Sequence, residues 1–146
     1  MICSYCTTEN EDHLRECCFC GASLFMKRPK LRHLVVLDDS KRGFSELRTF
    51  HTADLLYLLR LVRQERTETY NLLKTLGKAS ESSNEFDEGV TYTREEYLLI
   101  TKRMRLIEGI LIDRMGYKPK RINDAMLSKV YDQSRKQEKQ MDCRNA

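Results

Sequence analysis

The sequence predicts a mainly α protein carrying a small cysteine-rich head, and three observations carry that prediction. Five of the six cysteines crowd into residues 3–20. Behind them, apolar residues recur at helical spacing along two long stretches, which begin near Thr52 and Thr93. The composition is 40% apolar and 33% charged, which suits a largely helical chain with a modest core. The expected order is a head at 1–24, a basic connector with a short strand at 25–51, a helical body at 52–135, and a flexible polar tail at 136–146.

In the connector, Lys27-Arg28-Pro29-Lys30 is basic, and Pro29 pushes the residue before it into an extended conformation. Leu31–Leu37 is rich in β-branched residues and ends at the turn cluster Asp38-Asp39-Ser40, so it is the candidate strand. The first helix is expected from Thr52 as N-cap, with Asp54 in the first turn complementing the helix dipole. Leu55, Leu59, Val62, Leu73 and Leu76 form its stripe, and Gly77 is the expected stop. Residues 78–92, rich in Ser and Glu, are expected to form a mobile loop.

Thr93 and Glu96 have capping-box spacing and would open the second helix. Its stripe runs Tyr97, Ile100, Met104, Ile107, Leu111, Met115, and Gly116 followed by Pro119 ends it. Asn123 is the expected cap of a third helix, with Ile122 and Leu127 placed as a hydrophobic staple. The two long helices are expected to form an antiparallel hairpin. No internal repeat is evident.

The chemistry concentrates in CSYCTTENEDHLRECCFCG, residues 3–21. Cys3-x2-Cys6 and Cys17-x2-Cys20 each present two sulfurs from one tight turn, and two such turns supply the four soft ligands of tetrahedral zinc. Gly21 follows the last ligand, where a positive φ lets backbone N–H groups point at thiolate sulfur. The metal ligands are therefore expected to be Cys3, Cys6, Cys17 and Cys20, with Zn²⁺ as cofactor. Cys18 is the surplus thiol and Cys143 a bystander in the polar end.

These residues resemble the short N-terminal zinc ribbon that heads many bacterial and archaeal proteins. Its pattern is Cys-x2-Cys-Gly-x-x-Asn followed by Cys-x2-Cys-Gly-x-x-Leu, and Asn10, Gly21 and Leu24 stand at matching positions. Thr7 replaces the first glycine. The resemblance covers residues 1–24 and implies zinc binding by the four cysteines. The full fold expected is then a zinc ribbon, a short strand, and a three-helix body built on the hairpin.

Catalysis at zinc requires an open coordination position, and four thiolates leave none. His13, His33 and His51 have no nucleophile or carboxylate partner at a recognisable spacing. There is no phosphate-binding glycine loop, no HExxH and no paired-carboxylate motif. The expectation is a protein without enzymatic activity. No apolar run approaches membrane-spanning length, and Met1 leads straight into the cysteines without a signal-peptide pattern. Clustered cysteines with metal-ligand spacing suit a reducing cytoplasm.

The charge is segregated. Residues 1–24 carry −3, whereas residues 25–51 and 118–146 carry +4 each, within a net charge of +4. The acidic head suits a protein partner, which favours an adaptor or regulator placed near nucleic-acid or transcription machinery. The alternative is direct DNA or RNA binding through segments 27–32 and 118–139, using Lys27, Arg28, Lys30, Arg32, Lys118, Lys120, Arg121, Arg135 and Lys136. A small viral or mobile-element inhibitor of a host factor is a further alternative. The apolar faces of 52–76 and 93–115 exceed what a lone hairpin buries, so a homodimer through them is also expected.

Overall fold

The computed structural model describes residues 1–32 and 34–144, the side chain of Arg144 excepted. The chain is mainly helical. A turn of 3₁₀ helix at Leu37–Lys41 precedes a short helix α1 (Phe44–Leu47) and a long helix α2 (Thr52–Ser82). A second 3₁₀ turn at Asn84–Phe86 leads into α3 (Asp87–Met115), and α4 (Asp124–Arg144) follows. Among the described residues, β pairing is confined to two isolated antiparallel bridges in the head, Ile2 with Glu9 and Glu16 with Ser23.

The core lies where α2 and α3 meet α4 and the connector. Leu55, Leu58, Leu59 and Val62 of α2 are fully buried against Ile107 and Leu111 of α3. Leu47 and Phe50 close one end, and Val35 and Leu127 pack onto the side. Burying one such side chain contributes about 1.5–3 kcal/mol, so this cluster dominates the stability of the body. Contacts between α2 and α3 descend on one helix as they ascend on the other. Arg114 reaches Thr52, Arg63 reaches Glu108, Arg66 Nε donates to Thr101 Oγ1 at 2.9 Å, and Tyr70 meets Tyr97.

The two long helices continue well past this core. Beyond Val62 no residue of α2 is buried, and Leu72, Tyr92 and Leu98 are more than half exposed. The segment expected to be a mobile loop, 78–92, is instead almost wholly helical. Gly77 is interior to α2, and its freedom to break the helix is unused because the turn continues to Ser82. Thr93 is buried inside α3 rather than capping it. The actual start has Asp87 and Glu88 in the first turn, where carboxylates complement the dipole.

Other termini differ in detail. The N-cap of α2 is His51, whose Nδ1 accepts the Ala53 N–H at 3.0 Å, in place of Thr52. Burial keeps the His51 pKa below the usual histidine value, which preserves the neutral acceptor. Gly116 ends α3 with φ +80°, a left-handed C-cap. Asn123 Oδ1 accepts the Met126 N–H at 2.8 Å at the start of α4. That helix runs through Arg144, so 136–144 is helical where a flexible tail was expected, and residues 145–146 lie outside the described residues.

The strand expected at Leu31–Leu37 is not formed among the described residues; His33 lies outside them. A strand needs a neighbouring edge, and none is present among the described residues. Its backbone donors go to side chains instead. Leu31 N–H donates to Glu138 Oε1 at 2.6 Å, Arg32 N–H to Asp54 Oδ2 at 2.9 Å, and Val36 N–H to Asp39 Oδ2 at 2.9 Å. The connector is thereby strapped across α2 and α4. Asp54, only 1% exposed, also accepts the Tyr131 hydroxyl at 2.9 Å, and this joins α2, α4 and the strap at one carboxylate.

Candidate metal centre

The head consists of two turns with the same backbone plan, offset by fourteen residues. Cys3 N–H donates to Thr8 O and Cys17 N–H to Ala22 O. Thr7 N–H donates to Cys3 O and Gly21 N–H to Cys17 O. Asn10 N–H donates to Met1 O and Leu24 N–H to Arg15 O. In the sequence the duplication shows only as the two Cys-x2-Cys pairs and the aromatic pair Tyr5 and Phe19, because few other residues match between the copies. It corrects the expectation of no internal repeat. What repeats is hydrogen bonding, which many side chains permit.

Thr7 occupies the place of Gly21. Its φ is +62° against +70° for the glycine, so a β-branched residue adopts the left-handed turn that the knuckle requires. The cost is about 1–2 kcal/mol, borne by the rest of the turn. The replaced glycine therefore alters the energy of the first knuckle while its geometry is kept.

These turns bring the sulfurs of Cys3, Cys6, Cys17 and Cys20 within 4.8 Å of one another. The Cys3–Cys20 sulfur pair is 3.7 Å apart and the Cys6–Cys17 pair 3.5 Å. A tetrahedron with metal–sulfur bonds of about 2.3 Å has edges of about 3.8 Å. The donor set thus fits a metal ion and is compatible with zinc. When bound, the ion would supply a fixed crosslink between the two turns.

The electrostatics follow from that crowding. The Cys20 backbone N–H, then that of Phe19 and the Asn10 amide, stabilise the Cys17 thiolate and bring its pKa down to about 6, against desolvation. Hydrogen bonds from Thr8 lower that of Cys6. The Ala22 N–H favours ionisation of Cys20, but desolvation and the sulfurs of Cys6, Cys3 and Cys17 outweigh it and push Cys20 up to about 12. Four thiolates cannot share this volume without a cation to offset their charge.

Asn10, 6% exposed, joins the two halves. Its Nδ2 donates to Thr8 O at 2.8 Å and to Cys17 Sγ at 3.5 Å, while its Oδ1 accepts the Cys18 N–H at 2.9 Å. Cys18 corresponds to Ser4 of the first turn; its side chain is exposed and lies outside the donor set. Cys143 is exposed on α4. His13 is on the surface, 3.4 Å from the Glu11 carboxylate, and is no part of the centre.

The basic residues divide into two groups. Lys118 Nζ is 3.0 Å from Glu108 Oε2, and Arg63 approaches Oε1 of the same buried carboxylate at 3.2 Å. Arg28 lies over Tyr5 and reaches Met141, Arg32 stacks on Phe50, and Arg135 pairs with Asp132 at 3.6 Å. Lys27, Lys30, Lys120, Arg121 and Lys136 are exposed and form no ion pair among the described residues. The strap brings 27–32 alongside the end of α4 that holds Arg135 and Lys136. Lys120 and Arg121 sit at its other end, roughly 20 Å away at 1.5 Å per helical residue.

Sequence reasoning missed Glu108, Arg114 and Tyr131. Arg114 Nη1 donates to Phe50 O at 2.6 Å and Nη2 to Arg48 O at 2.5 Å, closing the α1 end of the core. Each is an ordinary charged or aromatic residue in a helical pattern, and only the tertiary fold shows its partner. No protein-family model matches the chain, and no curated protein or solved structure matches it.

Proposed function

We propose that this chain is a non-enzymatic adaptor or regulator in which a zinc ribbon, held by Cys3, Cys6, Cys17 and Cys20, presents a docking surface to a protein partner. The observation that carries this reading is the closed donor set together with what its two turns display. The four cysteine sulfurs lie within 4.8 Å of one another, and a metal held by all four would have no open position for a reacting group. At equivalent places in the two turns, Tyr5 and Phe19 are exposed by 49% and 79%. Aromatic side chains displayed on a rigid turn are typical anchors of protein recognition. The net charge of −3 on residues 1–24 disfavours a phosphate backbone.

The body is read as an antiparallel hairpin of α2 and α3, with the open parts of both helices available for self-association. A cytoplasmic setting and a place near transcription or other nucleic-acid machinery belong to the same proposal. A direct DNA or RNA binder is the second reading, favoured by Lys27, Lys30 and Lys136, which are exposed near the same end of α4 without ion-pair partners among the described residues.

The test is co-purification from the native host with zinc content measured in parallel. Phe19→Ala and Tyr5→Ala should keep the metal and lose the protein partner. A partner retained equally by both variants would refute ribbon docking. Salt-dependent gel shifts abolished by Lys27→Gln, Lys30→Gln and Lys136→Gln would favour the second reading.

A further inference from the structure

A second site lies away from the cysteines, where the strap crosses α2 and α4. The groove there encloses about 530 Å³, within the usual size of small-ligand pockets. Its walls are Leu31, Leu34, Val35, Tyr57 and Tyr131. Leu34 stands at its edge, 76% exposed, on a segment whose backbone is held by Glu138 and Asp54.

The polar groups around the groove are unequally engaged. Asp54 has both carboxylate oxygens occupied, by the Arg32 N–H and the Tyr131 hydroxyl. Burial and the bond to Asp54 raise the Tyr131 pKa well above its ordinary value, so the phenol remains a donor. Glu138 accepts the Leu31 N–H through Oε1. These acids hold the walls together.

The cations are different. The Arg32 guanidinium lies 3.7 Å from the centre of the Phe50 ring, which is itself fully buried, and its side-chain donors make one long contact, to Thr49 Oγ1 at 3.5 Å. It forms no ion pair among the described residues, and the Asp39 carboxylate interacts with it only at longer range. Arg135 lines the same groove, loosely paired with Asp132, and both are about two-thirds exposed. A guanidinium fixed on an aromatic face, with N–H donors to spare beside an apolar wall, is preorganised to receive an anionic head.

We propose that this groove binds a small amphiphilic anion, with its carboxylate, sulfonate or phosphate on Arg32 and Arg135 and its apolar or aromatic body against Leu31, Leu34, Tyr57 and Tyr131. The site is independent of the metal centre and of the partner surface on the ribbon.

The probe for the test is 1-anilinonaphthalene-8-sulfonate, with N-phenyl-1-naphthylamine as its neutral counterpart lacking the sulfonate. Fluorescence titration of the full chain should saturate at one sulfonate dye per chain, and the neutral dye should bind at least about tenfold more weakly, as expected for charge-assisted hydrogen bonds. Arg32→Gln should cost about tenfold or more in affinity for the sulfonate and leave the neutral dye unchanged. Because Arg32 also covers Phe50, Leu34→Glu provides a variant at an exposed position; it should abolish binding with helical circular dichroism intact. Leu98→Glu, on the open part of α3, should have no effect. Equal affinity for the two dyes, or loss of binding in Leu98→Glu with retention in Leu34→Glu, would overturn the assignment.

Discussion

The cysteine head and the helical body reach a fixed structure by opposite means. The body hides a continuous cluster of leucines, Phe50, Ile107 and Leu111 from water. The head has almost nothing of the kind: its buried residues are Cys3, Asn10 and Cys17, while Ile2 and Phe19 are more than 60% exposed. Its order comes from two repeated sets of backbone hydrogen bonds and from four sulfurs gathered at one point. A segment this short cannot bury enough apolar surface to offset its chain entropy. The difference predicts that the head depends on a metal ion at its four sulfurs, whereas the body does not.

The sharpest way to separate the two regions is to remove the metal. Chelation should unfold the head, since binding at such sites contributes on the order of 10 kcal/mol of folding free energy. Helical circular dichroism from the body should stay nearly constant while amide protection is lost over residues 1–24. Joint loss of both would mean that the head supports the body.

The converse perturbation is Leu59→Ala, at a fully buried position of α2. It should lower the stability of the body by about 2–5 kcal/mol in urea denaturation, with one metal still bound per chain. A smaller cost is expected of Tyr131→Phe, which leaves a buried oxygen of Asp54 without its donor. About 1–3 kcal/mol should be lost, and hydrogen exchange should quicken in the strap at Leu31 and Arg32.

The mildest test acts in the head and has the opposite sign. Thr7→Gly relieves a left-handed threonine and should stabilise the metal-bound head by about 1 kcal/mol, read as about fivefold tighter retention against a competing chelator. An unchanged or weakened affinity would show that Thr7 contributes something beyond its backbone, such as its short contact to the Cys6 carbonyl.

Much of this division was legible in the sequence, for identifiable reasons. Two Cys-x2-Cys turns constrain four atoms so tightly that spacing alone indicates which sulfurs can meet, and it separates Cys18 from the set. Gly116 and Asn123 act where they were expected, because a left-handed cap and an Asx cap are local events. Features that depend on distant neighbours were not legible. Thr93 and Glu96 have the spacing of a helix start, yet the helix has already begun six residues earlier at Asp87, with Asp87 and Glu88 in its first turn. Leu31–Leu37 has strand composition but no edge to pair with among the described residues, and its backbone donors go to Asp54 and Glu138. The fourteen-residue duplication of the head lies in backbone hydrogen bonds that leave little trace in side-chain identity.

Metal stoichiometry across single cysteine variants tests the central claim most directly. Reduced, unchelated protein should carry one zinc per chain, Cys18→Ser should also carry one, and Cys17→Ser should carry none. Zinc retained by Cys17→Ser and lost by Cys18→Ser would contradict the four-sulfur centre, and a wild-type content near zero would remove the zinc-ordered head altogether.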